Sequence, residues 1–535
     1  MERLEDAFRR IERHARRYVR TRKVPGLVLA ITDRARVIRL AALGYADLAA
    51  RRRLVPEDRF EIGSISKSFT AIALLQEWEA GRVDLDALVR DYLPWFDVRS
   101  PRAPITVHHL LTHTSGIILG TEATLEARRE VWSLREMETG FPPGERFHYS
   151  NVGYKTLGLV LEAITGQTCS ETVRRRILDP LEMSSSDTVV THDGYRNLAV
   201  GYQELHDDRP MHPDHPLIPA TWFETATADG SIVSTAADMA AYVRMVMNRG
   251  EGPSGRILSE RAFDRFTHRA FELEDGTAYG YGLNIVERDG HTVVGHTGGM
   301  VGYDTSILAD LDAGLGAVLL SNSTRDVAPV AELAMRVLHA VADGRPWPAE
   351  VPLGARVKTP NPEQYVGVYG STAKRLSIHT EGGRLVLETD GSRVPLEPRG
   401  PDTFYAPHPS FDRFLLRFGR QGGAVVEAFH GPDWHPADRY EGPRAFTVPE
   451  AWTAFPGHYR SHNPWLSNFR VVLRKGTLSF IRPDGGEEPL APLGNGRFRV
   501  GSEPSPERIR FDTVIEGEAT RANLSGCDYY RTFTP

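Results

Sequence analysis

The hydrophobic and polar positions change pattern along the chain, and the first part alternates between strand and helix signals. The first 22 residues are amphipathic and charged, which predicts an exposed helix. Two runs rich in branched residues, Leu27–Thr32 and Val37–Leu43, then predict β-strands. A helical region extends over residues 66–247, and its first helix, Ser66–Ala80, is apolar nearly all round, so we expect it to be buried. Gly81 follows as its C-terminal cap.

Strand patterns return after the helical region. They cover Gly282–Val286, Thr292–Gly295, Thr305–Ala309 and Gly316–Ser321, and a helix over 327–342 closes the unit. Because strands come from both ends of this region and helices lie between them, the pattern predicts an α+β domain over residues 1–345. We expect one antiparallel sheet with helices packed on it.

The C-terminal third has only short strand patterns, and they repeat. Residues 346–362 are rich in proline and glycine and are interpreted as a linker. The segment Tyr365–Tyr369 (YVGVY) recurs as Phe455–Tyr459 (FPGHY) 90 positions later, and each copy precedes a hairpin with a glycine turn. This repeat predicts two small antiparallel β-barrels, 363–448 and 449–535; the alternative is one larger β-domain.

Composition excludes several classes of function. Of 535 residues, 41% are hydrophobic and 25% charged, as in ordinary globular proteins, and the net charge of −6 includes no basic stripe for nucleic acid. The charged N-terminal segment lacks the apolar core of a secretory signal, and no run of about 18 apolar residues suits a membrane. We therefore expect a cytoplasmic protein. Two distant cysteines make no disulfide framework, and without a glycine-rich phosphate loop we infer no cofactor.

Ser64 and Lys67 begin the apolar helix and are the first candidates for chemistry. Residues three apart on a helix lie on one face, so the two side chains should be close. A serine hydroxyl needs a base to become a nucleophile, and a lysine serves if burial lowers its pKa, whereas an arginine cannot. The chain has only 6 lysines among 64 basic residues, which favours a chemical reason for Lys67. Ser66 is a second candidate nucleophile, and an ordinary helix start is the alternative.

Tyr149-Ser-Asn151 precedes a second helix. A phenol can transfer protons when a nearby cation lowers its pKa, which makes Tyr149 a candidate proton-transfer partner. Asn151 offers an amide donor and acceptor to a substrate backbone. Taken alone, the tripeptide is also typical of a helix entry in which the asparagine acts as the cap.

His296-Thr297-Gly298-Gly299 ends a predicted strand. The small residues leave room for a substrate along the strand edge, and the amides of Gly299 and Ser64 would form an oxyanion hole. His296 is the catalytic candidate of this segment, and Thr297, Gly298 and Gly299 are substrate-binding candidates. A strand ending in a glycine turn is the alternative.

Together the three segments resemble the motifs of the penicillin-recognising serine hydrolases, Ser-x-x-Lys, Tyr-x-Asn and Lys-Thr-Gly, with histidine in place of the last lysine. Flanking sequences agree with the class C β-lactamase branch: Glu61-Ile-Gly63, Leu110–Gly116, Ser234–Ala240 and Tyr279–Leu283. The resemblance covers residues 5–345. It implies acyl transfer through Ser64, with Lys67 and Tyr149 as proton carriers; which of these two is the base stays open.

In architecture the chain resembles most the bacterial D-aminopeptidases, which carry two C-terminal barrels and a histidine in the third motif. That resemblance implies a homodimer and a barrel loop reaching the active site. The segment Pro483–Glu488 is the candidate loop, with Asp484 as a substrate-binding residue, Glu487 and Glu488 beside it, and a solvated turn as the alternative. The expected substrate is a small amide or peptide with an N-terminal D-residue. Alternatives are a carboxylesterase, a peptide-cyclising or peptide-releasing acyltransferase, and a non-catalytic ligand-binding protein.

The remaining histidines are interpreted without chemistry. His206–Pro216 (HDDRPMHPDHP) is interrupted by prolines and is interpreted as a surface loop rather than a metal site. His108, His109 and His113 are expected to be structural. No metal ligands are assigned.

Overall fold

The computed structural model describes residues 2–121, 126–195, 197–349, 359–371, 375–389 and 391–532. The chain divides into two compact units, Met1–Gln203 with Leu217–Val351, and Glu204–Pro216 with Pro352–Pro535. Most of the predicted linker, 346–362, lies outside the described residues. The predicted domain boundaries within the C-terminal region stay predictions.

The first unit is built on a nine-stranded antiparallel sheet that joins strands from both ends of the region. Across the sheet the strands are Phe271–Glu272, Ala278–Tyr279, Asn284–Arg288, His291–Met300, Tyr303–Asp310, Leu315–Ser321, Gly26–Asp33, Val37–Asp47 and Arg52–Arg53. Short strands lie outside it: Phe60–Glu61, Val233–Ser234, Tyr202–Glu204, Leu217–Pro219, Glu251–Gly252 and Gly255–Arg256. The α+β prediction is confirmed, because the first strand pairs with the last, Leu27 opposite Ser321.

Helices occupy the middle of the unit and both its ends. The α-helices are Glu2–Arg22, Ser66–Glu79, Val89–Tyr92, Val107–Leu111, Ala127–Ser133, Asn151–Thr165, Cys169–Val173, His192–Tyr195, Ala236–Met247, Glu260–Phe266 and Ala328–Ala342. A π-helix spans Arg174–Leu178, and 3₁₀ turns span Gly63–Ile65 and Leu134–Glu136; two further 3₁₀ turns, Pro362–Tyr365 and Glu450–Ala454, lie in the second unit. The helix Ser66–Glu79 is buried as predicted, with Phe69, Ile72 and Leu75 fully inaccessible. Gly81 ends it in the left-handed region, at φ +70°.

Two local predictions need correction. The N-terminal helix is not exposed all round, because Phe8, Ile11 and Tyr18 on one face are buried; amphipathic helices cover apolar surface with such a face. The strand predicted over 292–295 does not end there but continues to Met300. It continues because its partner strand supplies hydrogen bonds up to the Met300–Tyr303 pair.

The second unit is all-β. Its last repeat is a closed eight-stranded barrel of strands Gly457–Arg460, Asn468–Arg474, Thr477–Ile481, Glu487–Gly494, Arg497–Val500, Arg508–Ile515, Glu518–Leu524 and Cys527–Thr532. The first repeat has a four-stranded sheet, Gly367–Tyr369, Leu376–Glu381, Arg384–Thr389 and Ser392–Pro395, and a five-stranded one, Glu397–Gly400, Thr403–Tyr405, Leu416–Gln421, Ala424–His430 and Asp433–Pro436. The prediction of two barrels is therefore confirmed for one closed barrel only.

The first repeat differs in one strand. In the first repeat the segment Pro395–Pro398 (PLEP) is interrupted at Leu396, so that one strand ends at Pro395 and another, in the second sheet, begins at Glu397. The equivalent segment of the last repeat, Pro489–Pro492 (PLAP), lies inside a single strand. Both sheets of the first repeat share one apolar core, and a single bridge pairs Tyr369 with Ala437. The first repeat is thus barrel-like but divided within its described residues.

The repeated aromatic segments are structurally equivalent. The Tyr369 hydroxyl donates to the carbonyl of Tyr365 at 2.8 Å, and the Tyr459 hydroxyl donates to the carbonyl of Phe455 at 2.7 Å. Both tyrosines are fully buried. The same side-chain to backbone bond therefore forms at the start of each repeat and accounts for the recurring tyrosine.

The segment Glu204–Pro216 is not a free surface loop. It belongs to the second unit, where Arg209 pairs with Asp412 at 2.6 Å and Arg470 with Asp208 at 3.2 Å. His212 is 7% exposed and stacks on Tyr405 with ring centroids 4.9 Å apart. The prolines make the segment irregular as expected, but its charges are neutralised by partners distant in sequence.

In the described part of the chain, no helix combines the length and the apolar character needed to cross a bilayer.

Candidate active site

Ser64 lies in the 3₁₀ turn that leads into the buried helix, and Lys67 occupies the first turn of that helix. The Lys67 Nζ atom lies 2.9 Å from the Ser64 Oγ atom and 2.9 Å from the carbonyl oxygen of Asp229. Lys67 is fully buried, and among the described residues no carboxylate pairs with it. The amine is therefore held against a hydroxyl and a carbonyl, the surroundings expected of a base that acts on the serine.

Ser66 faces away from this pair. Its Oγ accepts the amide N–H of Ile232 at 3.2 Å, and its side chain is 2% exposed. A hydroxyl that is enclosed and engaged with backbone is a poor candidate for attack on a substrate. The geometry favours Ser64 over Ser66 as the nucleophile.

Tyr149 and Asn151 lie on either side of the residue that caps the second helix. The Ser150 Oγ accepts the Gly153 amide at 3.0 Å, so Ser150 is the cap, and the interpretation of Asn151 as the cap is not supported. The Lys67 Nζ atom lies 4.9 Å from the centroid of the Tyr149 ring, which places tyrosine, lysine and serine in one cluster. Asn151 begins the helix Asn151–Thr165 and is not among the described residues that line the cleft.

Glycines bring the strand His291–Met300 against the nucleophile turn. A Cβ atom on Gly298 would lie 1.9 Å from the Ile62 carbonyl oxygen, and one on Gly63, at φ +53°, 2.7 Å from the Gly299 oxygen. Both positions therefore exclude a side chain. The Thr305 hydroxyl also donates to the Ile62 carbonyl at 3.0 Å. This close contact positions Ser64 beside the third motif.

The third motif offers a free strand edge. The strand His291–Met300 pairs with Asn284–Arg288 only as far as Gly295, so from His296 onward the described chain covers one edge alone. Along this part Thr297 and Gly299 are exposed while His296 and Gly298 are buried. This edge leaves room for an extended backbone to pair with it, and the substrate-binding roles of Thr297, Gly298 and Gly299 stay predictions.

A chain of hydrogen bonds with a defined direction holds His296. The Ser150 amide donates to His113 Nδ1 at 3.0 Å, so His113 carries its proton on Nε2 and donates it to the Tyr279 hydroxyl at 3.2 Å. His296 Nδ1 donates to the carbonyl of Thr297, which leaves Nε2 to accept from the Tyr279 hydroxyl at 3.1 Å. A backbone group thus fixes the tautomer of each histidine, and the Tyr279 hydroxyl accepts from one ring and donates to the other.

Both histidines of this chain are kept neutral. Burial, and next the positive charge of Lys67, lower the pKa of His296 to about 4. The same two causes hold the pKa of His113 well below its ordinary value. At neutral pH the third motif therefore supplies a hydrogen-bonding group and no positive charge.

The cleft beside Ser64 measures about 370 Å³. It is lined by Ser64, Phe147, Tyr149, Leu273, Tyr279, Asn284, His296, Thr297 and Gly299. Sequence reasoning placed Ser64, Tyr149, His296, Thr297 and Gly299 here. It missed Phe147, Leu273 and Asn284, and it noted Tyr279 only as part of a flanking motif.

His113 was expected to be structural, and its position agrees, because it orients Tyr279 rather than lining the cleft. The sequence around His113, Leu110–Gly116, does not indicate that this histidine orients Tyr279. Only the contact with Tyr279, which is 166 positions away, reveals its role.

Asp484 lies in the second unit, in the turn between strands Thr477–Ile481 and Glu487–Gly494. Its Oδ1 accepts the Gly486 amide at 2.7 Å, and Arg482 pairs with it at 3.4 Å. Glu488 also pairs with Arg482, at 3.1 Å, and Glu487 pairs with Arg474. All three carboxylates thus have arginine partners within their own barrel, and the substrate-binding role of Asp484 stays a prediction.

A serine whose hydroxyl contacts a buried lysine, next to a tyrosine and an open strand edge, defines a serine hydrolase. The chain belongs to the Beta-lactamase family, whose model matches residues 11–342.

Known relatives agree with this class. The chain is 28% identical over 315 residues to penicillin-binding protein 4 of Amycolatopsis lactamdurans, across 56% of this chain and 81% of that protein. The octameric penicillin-binding protein homologue of Pyrococcus abyssi superposes with a TM-score of 0.60 and 26% identity, over 81% of this chain and 98% of that one. D-amino acid amidase of Ochrobactrum anthropi SV3 superposes with a TM-score of 0.54 and 26% identity, over 64% and 100%.

Proposed function

We propose that this serine hydrolase cleaves amide bonds of small substrates through an acyl-enzyme and releases N-terminal D-residues, as a D-aminopeptidase does. The observation that carries the proposal is the neutral His296 in the third motif. A fixed cation there would bind a substrate carboxylate, and its absence favours substrates without one. Similarity to a D-amino acid amidase supports the amide and the D-configuration.

In the proposed reaction the Ser64 Oγ forms a bond to the substrate carbonyl carbon. Lys67 and Tyr149 receive the serine proton and deliver it to the leaving nitrogen as the carbon–nitrogen bond breaks. The amides of Ser64 and Gly299 stabilise the oxyanion. Water then attacks the ester carbonyl and gives a proton to Lys67 and Tyr149; the bond to Ser64 Oγ breaks as the serine takes a proton back, so the acid is released and free Ser64 is regenerated.

Selection for a free amine requires a carboxylate near the cleft. Asp275 lines a second cavity that shares Leu273, Asn284, His296 and Thr297 with the first. Its side chain is exposed, and hydrogen bonds from Thr277 hold its pKa below the ordinary value, so it is ionised. Asp275 is therefore a second candidate for the residue that binds the substrate ammonium group, as an alternative to Asp484.

A substrate panel tests the function. D- and L-aminoacyl p-nitroanilides, their N-acetylated forms, p-nitrophenyl esters and penicillin G are compared at pH 8. We expect fastest turnover of free D-aminoacyl anilides and poor turnover of penicillin. Ester turnover alone would indicate a carboxylesterase, and cyclic products an acyltransferase. Absence of turnover together with absence of fluorophosphonate labelling at Ser64 would indicate a ligand-binding protein.

Two matched variants test amine recognition. If Asp275 binds the ammonium, Asp275→Asn raises the KM of free aminoacyl substrates about tenfold or more and leaves N-acetylated substrates unchanged. If Asp484 does, Asp484→Asn has that effect instead. If both variants keep the wild-type KM for free aminoacyl substrates, the aminopeptidase proposal is abandoned.

We further propose a cytoplasmic homodimer. The relative from Pyrococcus abyssi is described as octameric, and the resemblance to D-aminopeptidases implies a dimer. Light scattering coupled to gel filtration measures the molar mass of the assembly and distinguishes a monomer, a dimer and an octamer.

A further inference from the structure

Three side chains that the proposed reaction does not use converge at the other end of the strand that carries His296. His291 begins this strand, Asp310 ends the neighbouring strand, and His339 lies in the last turn of the helix Ala328–Ala342. His339 and Asp310 are fully buried, and the His291 side chain is 12% exposed. Their nearest ligand atoms lie within 4.8 Å of one another.

The converging atoms meet closely but form no well-aligned hydrogen bonds. Asp310 Oδ2 lies 3.0 Å from His291 Nδ1 and 3.0 Å from His339 Nε2. Even so, all three atoms are buried and none has a hydrogen-bond partner of acceptable geometry in the described structure. The two imidazole rings stack nearly parallel, with centroids 4.4 Å apart, which directs both nitrogens to the same carboxylate oxygen. Buried polar atoms without well-formed hydrogen bonds are rare and need an explanation, and a bound ion is one that fits three converging ligand atoms.

The opposite atoms of the same side chains are held in place. Asp310 Oδ1 accepts the amides of Asp312 and Ala313, each at 2.8 Å. His291 Nε2 lies 3.2 Å from Asp343 Oδ1, and His339 Nδ1 lies 3.5 Å from Asp289 Oδ2. A carboxylate behind each imidazole is the arrangement that orients metal-binding histidines and makes the inner nitrogen a better donor.

We propose that His291, Asp310 and His339 bind one divalent transition-metal ion, with Zn²⁺ as the preferred occupant. Two imidazoles and one carboxylate suit zinc and not calcium or magnesium, which prefer oxygen ligands. Ligand atoms around a tetrahedral zinc ion with bonds of about 2.0–2.1 Å lie roughly 3.3 Å apart; the two histidine–carboxylate separations are 3.0 Å each, and all three ligand atoms lie within 4.8 Å of one another. Three protein ligands leave the fourth position for water.

The proposed metal site has a structural role and lies outside the hydrolytic cleft. Its ligands come from two neighbouring strands and from the helix that ends the unit, so an ion would fasten the helix to the sheet. His291 precedes His296 by five positions on one strand, and none of the three ligands lines the Ser64 cleft. Metal loading should therefore change stability and leave the labelling of Ser64 unchanged.

The test is a metal titration of the full-length protein after treatment with a chelator. Zn²⁺ content is measured by plasma mass spectrometry after reloading and gel filtration, and Co²⁺ is followed by its visible absorption. We expect about one ion per chain, tetrahedral Co²⁺ bands that Zn²⁺ abolishes, and a rise in Tm of about 5 °C at saturating Zn²⁺. Fluorophosphonate labelling should have the same rate with and without the ion.

Variants identify the ligands. His339→Gln, His291→Gln and Asp310→Asn should each reduce the bound metal at least tenfold; the last keeps the Oδ1 acceptor for the two amides. His379→Gln is the control, since His379 pairs with Glu388 at 3.0 Å on the surface of the other unit. Less than a tenth of an equivalent of Zn²⁺ in the reloaded wild type, or full binding in folded His339→Gln, would overturn the proposal. The wild-type titration decides even where a variant does not fold.

Discussion

Lys67 and Lys155 are both buried in the helical part of the hydrolase unit, yet their surroundings are opposite. Lys155 Nζ lies 2.6 Å from Glu130 Oε2, and the two side chains are 3% and 1% exposed. Lys67 meets the hydroxyl of Ser64 and a backbone carbonyl instead. Burial alone therefore does not mark a catalytic lysine, because Lys155 is paired with a carboxylate whereas Lys67 faces the hydroxyl that it is expected to deprotonate.

The largest effect is expected from Lys67→Met. We expect the rate at which a fluorophosphonate labels Ser64 to fall by about 10³-fold or more, because the serine loses its base. The free energy of unfolding should change little or rise, since no buried carboxylate loses its partner. A labelling rate near that of the wild type would show that Lys67 is not needed to activate Ser64.

The converse variant is Lys155→Met. It leaves Glu130 buried without its cation, which should cost about 3–5 kcal/mol of unfolding free energy. Labelling of Ser64 per folded molecule should be unchanged. Urea denaturation measures the first effect, and the double variant Lys155→Met with Glu130→Leu should recover part of the loss; no destabilisation would mean that the pair is dispensable.

Glu61 is a third buried ionisable group, a carboxyl with no cation partner among the described residues. Burial raises its pKa from the ordinary 4.5 to about 8. Between these values the folded protein keeps a proton that the unfolded chain has lost, so stability falls as pH rises, by at most about 1.4 kcal/mol per pH unit.

Glu61→Gln should therefore remove this slope and make the protein more stable than the wild type at pH 8 but not at pH 4.5. Urea denaturation at four pH values measures the difference. Glu130→Gln is the matched control and should be destabilising at pH 8. Parallel curves for wild type and Glu61→Gln would contradict the assignment.

The smallest effect is expected from Tyr279→Phe. Without the hydroxyl, His296 Nε2 loses its donor and His113 its acceptor, so kcat/KM should fall about tenfold, or roughly 1.4 kcal/mol. Loss of a donor to the neutral imidazole also favours its protonation, which raises the pKa of His296 and moves the acidic limb of the pH profile upward. Tyr281→Phe, whose hydroxyl contacts His108 at 2.8 Å, is the control and should leave that limb in place.

Local features of the site were predictable from the sequence. The spacing of Ser64 and Lys67 determines their proximity, because residues three apart share a helix face. The strands at both ends of the first unit, and hence its antiparallel sheet, were predicted from strand patterns rich in β-branched residues. The internal repeat was visible because both copies carry a tyrosine at the same position, where the two hydroxyls make equivalent bonds. These interactions are short in sequence or recur at a fixed period, so a linear pattern records them.

Interactions between distant segments were decided by the tertiary structure. The strand through His296 is longer than its pattern because Tyr303–Asp310 supplies its partners, and Gly63 and Gly298 matter because two backbones meet there. The link from His113 through Tyr279 to His296 joins three distant segments, and the convergence of His291, Asp310 and His339 depends on two strands and a helix. No pattern along the chain encodes such contacts, because they arise only when elements separated by tens of residues pack together.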